Sequence, residues 1–310
     1  MSATSSPPSL DERFDAYCAE AELYGATWWK RDEEPQRSRL AACPGLYDRL
    51  QALAEEGELI QTEWVYRDGS GWDGGRCRLH RELLESVVPR SQPANTVVAP
   101  ALCFLTLGLP GSGKSRVLRR VLTAYLSAQG WGENICVCDA DELRVRFPEY
   151  SDGPGSVIVQ KELVRLAYDD ETDPLADDCP CLQERMITAP PEGAVLVIDT
   201  VGSDEHCPPI VTHLVARGVQ VHVLVTSLPV EEAVRRAKQR ALETGRIVMP
   251  EVIAAAAGRP EAALRACIDT GALAGYALLD TSGPPDTPSP VLTTDERATY
   301  GRVAEPVAYW

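Results

Sequence analysis

The sequence predicts an α/β fold: a doubly wound, mainly parallel five-stranded sheet with helices on both faces, preceded by a helical N-terminal extension. Five short apolar runs alternate with helical patterns, and strands separated by helices form a parallel sheet through crossover connections. The length of 310 residues suits a main domain with an appendage. We therefore expect an extension over 1–95, a main domain over 96–280 and a C-terminal tail over 281–310.

The predicted strands are short and apolar. They cover Ala101–Leu107, Asn134–Cys138, Ala194–Asp199, Val219–Thr226 and Tyr276–Leu279. Helical spacing of apolar residues predicts the helices of the main domain, which cover 114–130, 156–168, 207–217, 230–244 and 260–271. The extension has amphipathic segments at 46–60 and 79–88, and three roles stay open for it: substrate lid, partner-binding module or support for the sheet.

Composition excludes several classes of protein. The net charge of −16 argues against long nucleic acid as a partner, because proteins that bind phosphate backbones carry a basic surface. No apolar run approaches the roughly 18 residues of a membrane span. The N-terminus lacks the basic start and apolar core of a secretion signal. We expect a cytoplasmic protein with no membrane partner.

The strongest motif is 108-GLPGSGKS-115, which matches the P-loop pattern in full between a predicted strand and a predicted helix. Its backbone N–H groups and the helix N-terminus predict a binding site for ATP or GTP. The residues expected to bind the nucleotide are Gly108, Gly111, Ser112, Gly113, Lys114, Ser115 and Arg116. Lys114 would contact the β- and γ-phosphates, and the Ser115 hydroxyl would bind Mg²⁺.

The end of the second strand carries Asp139 and Asp141, and ligands of doubly wound sheets bind at the carboxyl ends of strands. Asp141 could accept a proton from an attacking hydroxyl, and Asp139 could contact the substrate. Arg144, one helical turn later, could hold an anionic part of that acceptor. The alternative is that Asp139 caps the short helix and Asp141 favours its N-terminus.

The third strand ends at Asp199, where a carboxylate after four apolar residues can orient Mg²⁺. Thr200 next to it could contact phosphate or cap the following turn. After the fourth strand, a helix reaches Arg240 and ends at Gly245, which leaves Arg246 beyond it. A mobile arginine there could close over the γ-phosphate and neutralise charge during transfer.

Taken together, these segments resemble the zeta-toxin family of P-loop kinases over about residues 79 to 258. The matching features are the helix before the first strand, GLPGSGKS, the D-x-D-E-x-R…P-x-Y segment from Asp139 to Tyr150, the helix opening 156-SVIVQKELV-164, the VIDT strand end, and R…TGR…P ending at Pro250. The resemblance implies a Mg²⁺-dependent kinase for a small nucleotide-type acceptor, best known as UDP-N-acetylglucosamine. It also implies a bacterial toxin, with an antitoxin as candidate partner.

By position, the resemblance assigns Asp141 as the base, Lys114 and Ser115 to phosphate and metal, and Arg240 with Arg246 to charge stabilisation. Arg236 is a possible substitute for Arg240. The chain departs from the family at the third strand end, where Asp199-Thr200-Val201 replaces Glu-Gly-Thr.

A second departure is the insertion 169-DDETDPLADD-178, which has six acidic residues. It leaves Glu184 as the match for the family's substrate-side glutamate. We expect the acceptor to differ from the family's best-known one, with a dinucleotide such as NAD as an example.

Two other functions stay open at this point. A polynucleotide 5′-hydroxyl kinase shares the P-loop and the aspartate at the strand end, although the acidity of the chain opposes it. A regulatory module that only binds nucleotide would share the P-loop and use the extension as its partner surface.

Overall fold

The structure is a computed structural model that describes residues 7–31, 36–43, 45–68, 71–87, 102–115, 135–152, 154–168, 181–188, 195–283 and 289–291. Three predictions therefore lie outside the described residues: Arg116, most of the helix 114–130, and the acidic insertion 169–178. No described helix is long and apolar enough to cross a membrane.

The described helices, in chain order, are α1 (Leu10–Thr27), α2 (Gln36–Ala42), α3 (Leu46–Glu55), α4 (Thr62–Tyr66), α5 (Gly74–Val87), α6 (Ala140–Arg144), α7 (Gln160–Tyr168), α8 (Leu182–Thr188), α9 (Cys207–Ala216), α10 (Val230–Thr244), α11 (Pro250–Ala255) and α12 (Arg259–Asp269). Short 3₁₀ helices cover Trp28–Lys30, Pro148–Asp152 and Pro154–Ser156. Helix α1 begins with a capping box, in which the Ser9 hydroxyl accepts from the Glu12 amide and the Glu12 carboxylate accepts from the Ser9 amide.

The strands are β1 (Arg67–Asp68), β2 (Gly71–Trp72), β3 (Leu102–Gly108), β4 (Ile135–Cys138), β5 (Val195–Thr200), β6 (Gln220–Ser227), β7 (Gly275–Asp280) and β8 (Ser289–Val291). The first two form a small antiparallel pair. The other six form one sheet in the order β4-β5-β3-β6-β7-β8, in which every neighbouring pair is parallel except the last.

The predicted α/β class, the mainly parallel sheet and the helical N-terminus are confirmed. The five predicted strands all form, within one or two residues of their expected ends. The sheet has a sixth strand, β8, inside the segment expected to be a tail. The helix expected from residue 156 begins at Gln160, because Pro154–Ser156 form a 3₁₀ turn before it.

The chain folds into two compact units, each built from separate segments. The first unit combines Met1–Leu83, Asp141–Cys179 and Ala237–Val248. The second combines Leu84–Ala140, Pro180–Arg236 and Met249–Trp310 and contains the six-stranded sheet. The division at residues 95 and 280 stays a prediction.

The core of the second unit lies on the sheet. All seven residues of β3 are buried, as expected for a central strand covered on both faces. One face of the sheet forms an apolar cluster of Leu102, Phe104, Val195, Val197, Leu224, Ala277 and Leu279. Helix α12 packs near the strand end of β3, where an added Cβ at Gly202 would lie 3.4 Å from Ala263 and 3.5 Å from Leu107.

The core of the first unit joins its three segments. Phe14 and Ala21 of α1 pack with Ala241 of α10 and with Ile247. The Trp28 indole donates a hydrogen bond to the Ile60 carbonyl at 2.7 Å. The four described tryptophans of the extension all lie in this unit, and Trp28 and Trp29 are fully buried in it.

Candidate active site

The P-loop follows directly from the end of β3. Gly111 and Gly113 have φ values of 87° and 86°, a left-handed conformation that favours glycine. A Cβ at Gly108 would lie 2.1 Å from the Thr226 hydroxyl and 2.7 Å from the Ser112 hydroxyl. The backbone is helical from Lys114. These three glycines therefore allow the tight turn that the phosphate-binding motif requires.

Ser112 anchors the loop to the sheet. It is fully buried, and its hydroxyl hydrogen-bonds the Thr226 hydroxyl at the end of β6 at 2.6 Å. Its carbonyl accepts a hydrogen bond from the Thr281 hydroxyl, just after β7, at 2.7 Å. Sequence reasoning missed both threonines. The available signal was their position: each is a polar residue at the carboxyl end of a strand on one side of β3.

Lys114 points back along the loop. Its Nζ donates a hydrogen bond to the Gly108 carbonyl at 2.6 Å and lies 3.9 Å from Asp199 Oδ1. The predicted phosphate-binding lysine and the predicted metal-binding carboxylate therefore lie side by side in the second unit.

Asp199 is buried and lies at the centre of this cluster. Its Oδ1 accepts a hydrogen bond from the Thr106 hydroxyl at 3.0 Å. Burial and the nearby Asp139 carboxylate raise its pKa to about 6, against the lowering effect of Lys114 and of hydrogen bonds from Thr106 and Ser115. The structure thus brings together four predicted residues: Lys114, Ser115, Asp139 and Asp199.

The donor atoms of this cluster fit Mg²⁺. The Ser115 hydroxyl and the Asp199 carboxylate are hydrogen-bonded to each other, and Mg²⁺ prefers oxygen ligands, of which the protein supplies only one or two. Burial disfavours the negative charge of Asp199, and a bound divalent cation would compensate that charge. Among the described residues, no group of three or more His, Cys, Asp or Glu side chains could hold a metal ion.

Thr200 and Glu184 lie elsewhere in the second unit. The Thr200 hydroxyl accepts a hydrogen bond from the Gly202 amide at 3.4 Å, the local turn contact that sequence reasoning kept as its alternative. Glu184 is exposed on α8, and its carbonyl accepts a hydrogen bond from the Thr188 hydroxyl at 2.7 Å.

Asp141 lies in the first unit, on the short helix α6, and two arginines hold its carboxylate. Arg246 forms an ion pair with Asp141 Oδ2. The Nε atom of Arg144 lies 3.5 Å from Asp141 Oδ1, and its Nη2 donates to Gln160 Oε1 at 2.7 Å. Three predicted residues, separated by up to a third of the chain, therefore form one cluster.

The loop that carries Arg246 is fixed within the first unit. The Tyr150 hydroxyl donates to the Thr244 carbonyl at 2.8 Å, and the Ser156 hydroxyl donates to the Gly245 carbonyl at 2.7 Å. Ser156 also accepts from the Ile247 amide at 3.3 Å. Arg240, half-buried on α10, lies one turn before this loop.

Comparison with curated proteins finds no match. Among solved structures, a complex of AvrRxo1-ORF1 and AvrRxo1-ORF2 with sulphate ions is similar, with 17% identity, coverage of 80% of this chain and 83% of that chain, and a TM-score of 0.56.

The same complex with ATP shows 16% identity, 76% coverage of each chain and a TM-score of 0.53. A structure from the PezAT chromosomal toxin-antitoxin system of Streptococcus pneumoniae shows 17% identity, covers 76% of this chain and 87% of that chain, and has a TM-score of 0.46. The likeness to the two AvrRxo1 complexes concerns the fold alone.

The comparison with family models identifies the family to which the chain belongs. The model of the zeta toxin family matches residues 87–273, which contain the P-loop, Asp141, Asp199 and Arg246. This match covers more than half of the chain, and the chain therefore belongs to the zeta toxin family.

Proposed function

We propose that the chain is a Mg²⁺-dependent kinase that transfers the γ-phosphate of ATP or GTP to a hydroxyl group of a small nucleotide-type acceptor. The observation that carries this proposal is Asp141, a carboxylate held by Arg246 and Arg144 just after the strand that leads to Asp139. Nucleotide binding alone requires no such group, whereas removal of a proton from an acceptor does.

The second unit would bind the donor. Gly108, Gly111, Ser112, Gly113, Lys114, Ser115 and Arg116 would surround the triphosphate. Lys114 Nζ would exchange the Gly108 carbonyl for phosphate oxygens. Ser115 and Asp199 would hold Mg²⁺, which when bound neutralises negative charge on the phosphates. The similar AvrRxo1-ORF1 complex was solved with ATP, which supports ATP as the donor.

The first unit would act on the acceptor. The acceptor oxygen forms a bond to the γ-phosphorus while the bond from that phosphorus to the leaving nucleoside diphosphate breaks, and Asp141 takes the hydroxyl proton. Arg246 and Arg240 would stabilise the charge of the transferred group, and Arg144 would hold an anionic part of the acceptor. Asp139, Thr200 and Glu184 stay proposed substrate contacts.

The proposed acceptors are a sugar nucleotide such as UDP-N-acetylglucosamine and a dinucleotide such as NAD. A protein partner is also part of the proposal, because AvrRxo1-ORF1 is found in complex with a second protein. For this chain that partner would be an antitoxin in the cytoplasm. Long nucleic acid is opposed by the net charge of −16.

The test incubates the protein with ATP, Mg²⁺ and a panel of nucleotide sugars and dinucleotides, followed by mass spectrometry and phosphorus NMR. We expect one acceptor to gain a phosphoryl group. Asp141→Asn should lower turnover at least about 100-fold, since general-base catalysis contributes that much. Glu142→Gln, one residue along the same helix, is the matched control and should keep turnover.

Other outcomes separate the alternatives. ATP hydrolysis with no phosphorylated acceptor would contradict the kinase assignment. Labelling of an oligonucleotide 5′ end would instead identify a polynucleotide kinase. Tight nucleotide binding with no turnover, and a biological effect that survives Asp141→Asn, would identify a regulatory nucleotide-binding module.

A further inference from the structure

A cationic cleft opens on the first unit. It has a volume of about 820 Å³, within the size range of small-molecule sites. Four cationic side chains line it together with one tryptophan: Arg49, Arg67, Lys161, Arg165 and Trp64. Four cations in the lining of one cleft are an unusual concentration in a chain with a net charge of −16.

Two of these cations are fixed by a buried carboxylate. Glu63 is 7% exposed and pairs with Arg165 at 2.9 Å and with Arg67 at 3.1 Å. The other carboxylate of the cleft, Asp68, pairs with Arg39 at 3.0 Å. Both acidic groups of the cleft are therefore engaged with arginines.

The other two cations are exposed and positioned on Trp64. Arg49 donates from Nη2 to the Trp64 carbonyl at 2.9 Å, and Lys161 Nζ lies 4.8 Å from the centre of the Trp64 ring. Neither contact neutralises a charge. These two side chains are thus placed to bind an anion entering the cleft from solvent.

The cleft is connected to the Asp141 cluster through one side chain. Gln160, the first residue of α7, lines the cleft and accepts a hydrogen bond from Arg144 Nη2 at 2.7 Å. The Nε atom of the same arginine lies 3.5 Å from Asp141. A molecule whose hydroxyl reaches Asp141 could therefore extend past Gln160 into the cleft, all within the first unit.

One wall of the cleft comes from the part of the chain that precedes the match to the family model. Arg49, Trp64 and Arg67 precede residue 87, where the family match begins, whereas Lys161 and Arg165 lie inside it. The N-terminal extension therefore supplies part of the lining of the cleft.

We infer that this cleft binds the diphosphate of a nucleotide-type acceptor, and that the N-terminal extension thereby determines acceptor specificity. The inference rests on the proposed function, because it assigns the acceptor's remote part to the site that contains Asp141. Cationic side chains bind phosphate oxygens, and the apolar surface of Trp64 and Val164 suits a ring attached to them.

The test is calorimetric titration of the full chain, without ATP, with four probes: NAD, UDP-N-acetylglucosamine, and the nucleosides adenosine and uridine. We expect a diphosphate probe to bind and the nucleosides to bind at least tenfold more weakly. Arg49→Glu with Lys161→Glu should weaken the diphosphate probe at least tenfold and leave ATP affinity unchanged. These two positions are exposed, so the change leaves no buried charge without its partner.

Arg13→Glu, an exposed cation on α1, is the matched control and should bind all probes as the wild type does. Lys161→Ala, which adds no negative charge, should show a smaller loss in the same direction. Diphosphate affinity that is unchanged in the double variant would overturn the inference, and so would the absence of binding by every probe. An acidic peptide that binds the cleft while no diphosphate does would also overturn it.

The result distinguishes failure of this inference from failure of the proposed function. A diphosphate probe that binds through Arg49 and Lys161 but is never phosphorylated supports the cleft and contradicts the kinase. Phosphorylation of an acceptor with the same KM in the double variant supports the kinase and contradicts the cleft.

Discussion

Arg76 is the centre of a buried charged cluster in the first unit, and its replacement tests how far that cluster stabilises the fold. Its Nε atom pairs with Glu162 Oε1 at 2.5 Å and its Nη1 atom with Glu149 Oε1 at 2.8 Å. Its Cζ lies 4.4 Å from the centre of the Tyr66 ring. Glu162 has no exposed surface, and His80 is its other partner. Two buried carboxylates therefore depend largely on one guanidinium.

The expected cost of Arg76→Met is about 3 to 5 kcal/mol, the typical cost of removing one partner from a buried ion pair. The pKa of Glu162 shows the same dependence on Arg76. Burial opposes its ionisation, but Arg76 and His80 outweigh burial and lower the pKa from 4.5 to about 2.

The same pKa fixes the pH dependence. The folded carboxyl binds its proton less readily than the unfolded one, so its stabilising effect is complete above pH 4.5 and is lost as the pH falls towards 2. Without Arg76, burial dominates, and this part of the acid sensitivity should disappear.

The assay is urea unfolding at pH 7, followed by tryptophan fluorescence, because Trp28, Trp29, Trp64 and Trp72 all lie in the first unit. Arg78→Met, an exposed arginine on the same helix, is the matched control and should change the free energy of unfolding by less than about 0.5 kcal/mol. A loss for Arg76→Met that lies within about 1 kcal/mol of the loss for that control would refute the reasoning.

The remaining predictions concern the second unit. Gly108→Ala should weaken ATP binding at least tenfold in a titration, because the new Cβ would lie 2.1 Å from the Thr226 hydroxyl, whereas Gly74→Ala, with no heavy atom within 4 Å, should bind ATP normally. Thr226→Val should weaken ATP binding more than Thr226→Ser, since only serine keeps the hydroxyl that bonds Ser112. Burial lowers the pKa of His222 from 6.5 to about 4. Below pH 6.5 the unfolded chain therefore takes up a proton that the folded chain does not, and the folded state loses stability as the pH falls. His222→Phe should reduce this loss between pH 7 and pH 5 by about 1 to 2 kcal/mol. Equal losses in both proteins would contradict that last prediction.

The sheet could be predicted from the sequence because its signal is local. A strand such as β3 is apolar throughout, and its pattern needs no knowledge of its neighbours. The strand β8 could not be predicted, since Ser289-Pro290-Val291 has no strand pattern and forms a strand only by pairing with β7. Its backbone groups pair with the edge of β7, and residues 289–291 alone do not show that they lie beside that edge.

The candidate site likewise has parts that the sequence predicts and parts that it does not. The P-loop is one contiguous segment, so its conformation can be predicted from the eight residues 108–115 alone. Thr226 and Thr281 support that loop from 114 and 169 residues away from Ser112, and their position at strand ends does not by itself show that they contact the loop. The Arg76 cluster joins residues 73 and 86 positions apart, so its charges resemble ordinary surface charges until the fold is known.

The structure pairs Arg246 with Asp141, although the sequence predicts a separate role for each of these residues. The sequence predicts a base at Asp141 and a mobile arginine beyond α10, but the loop of that arginine is held by Tyr150 and Ser156 in the same unit as Asp141. Under the proposed function, a change at either anchor would therefore disturb the base and the arginine together. Lys114, by contrast, belongs to the unit that would bind nucleotide. Changes in the anchors should alter turnover and acceptor affinity while ATP affinity stays constant, because the groups that would hold the triphosphate depend on a different set of contacts.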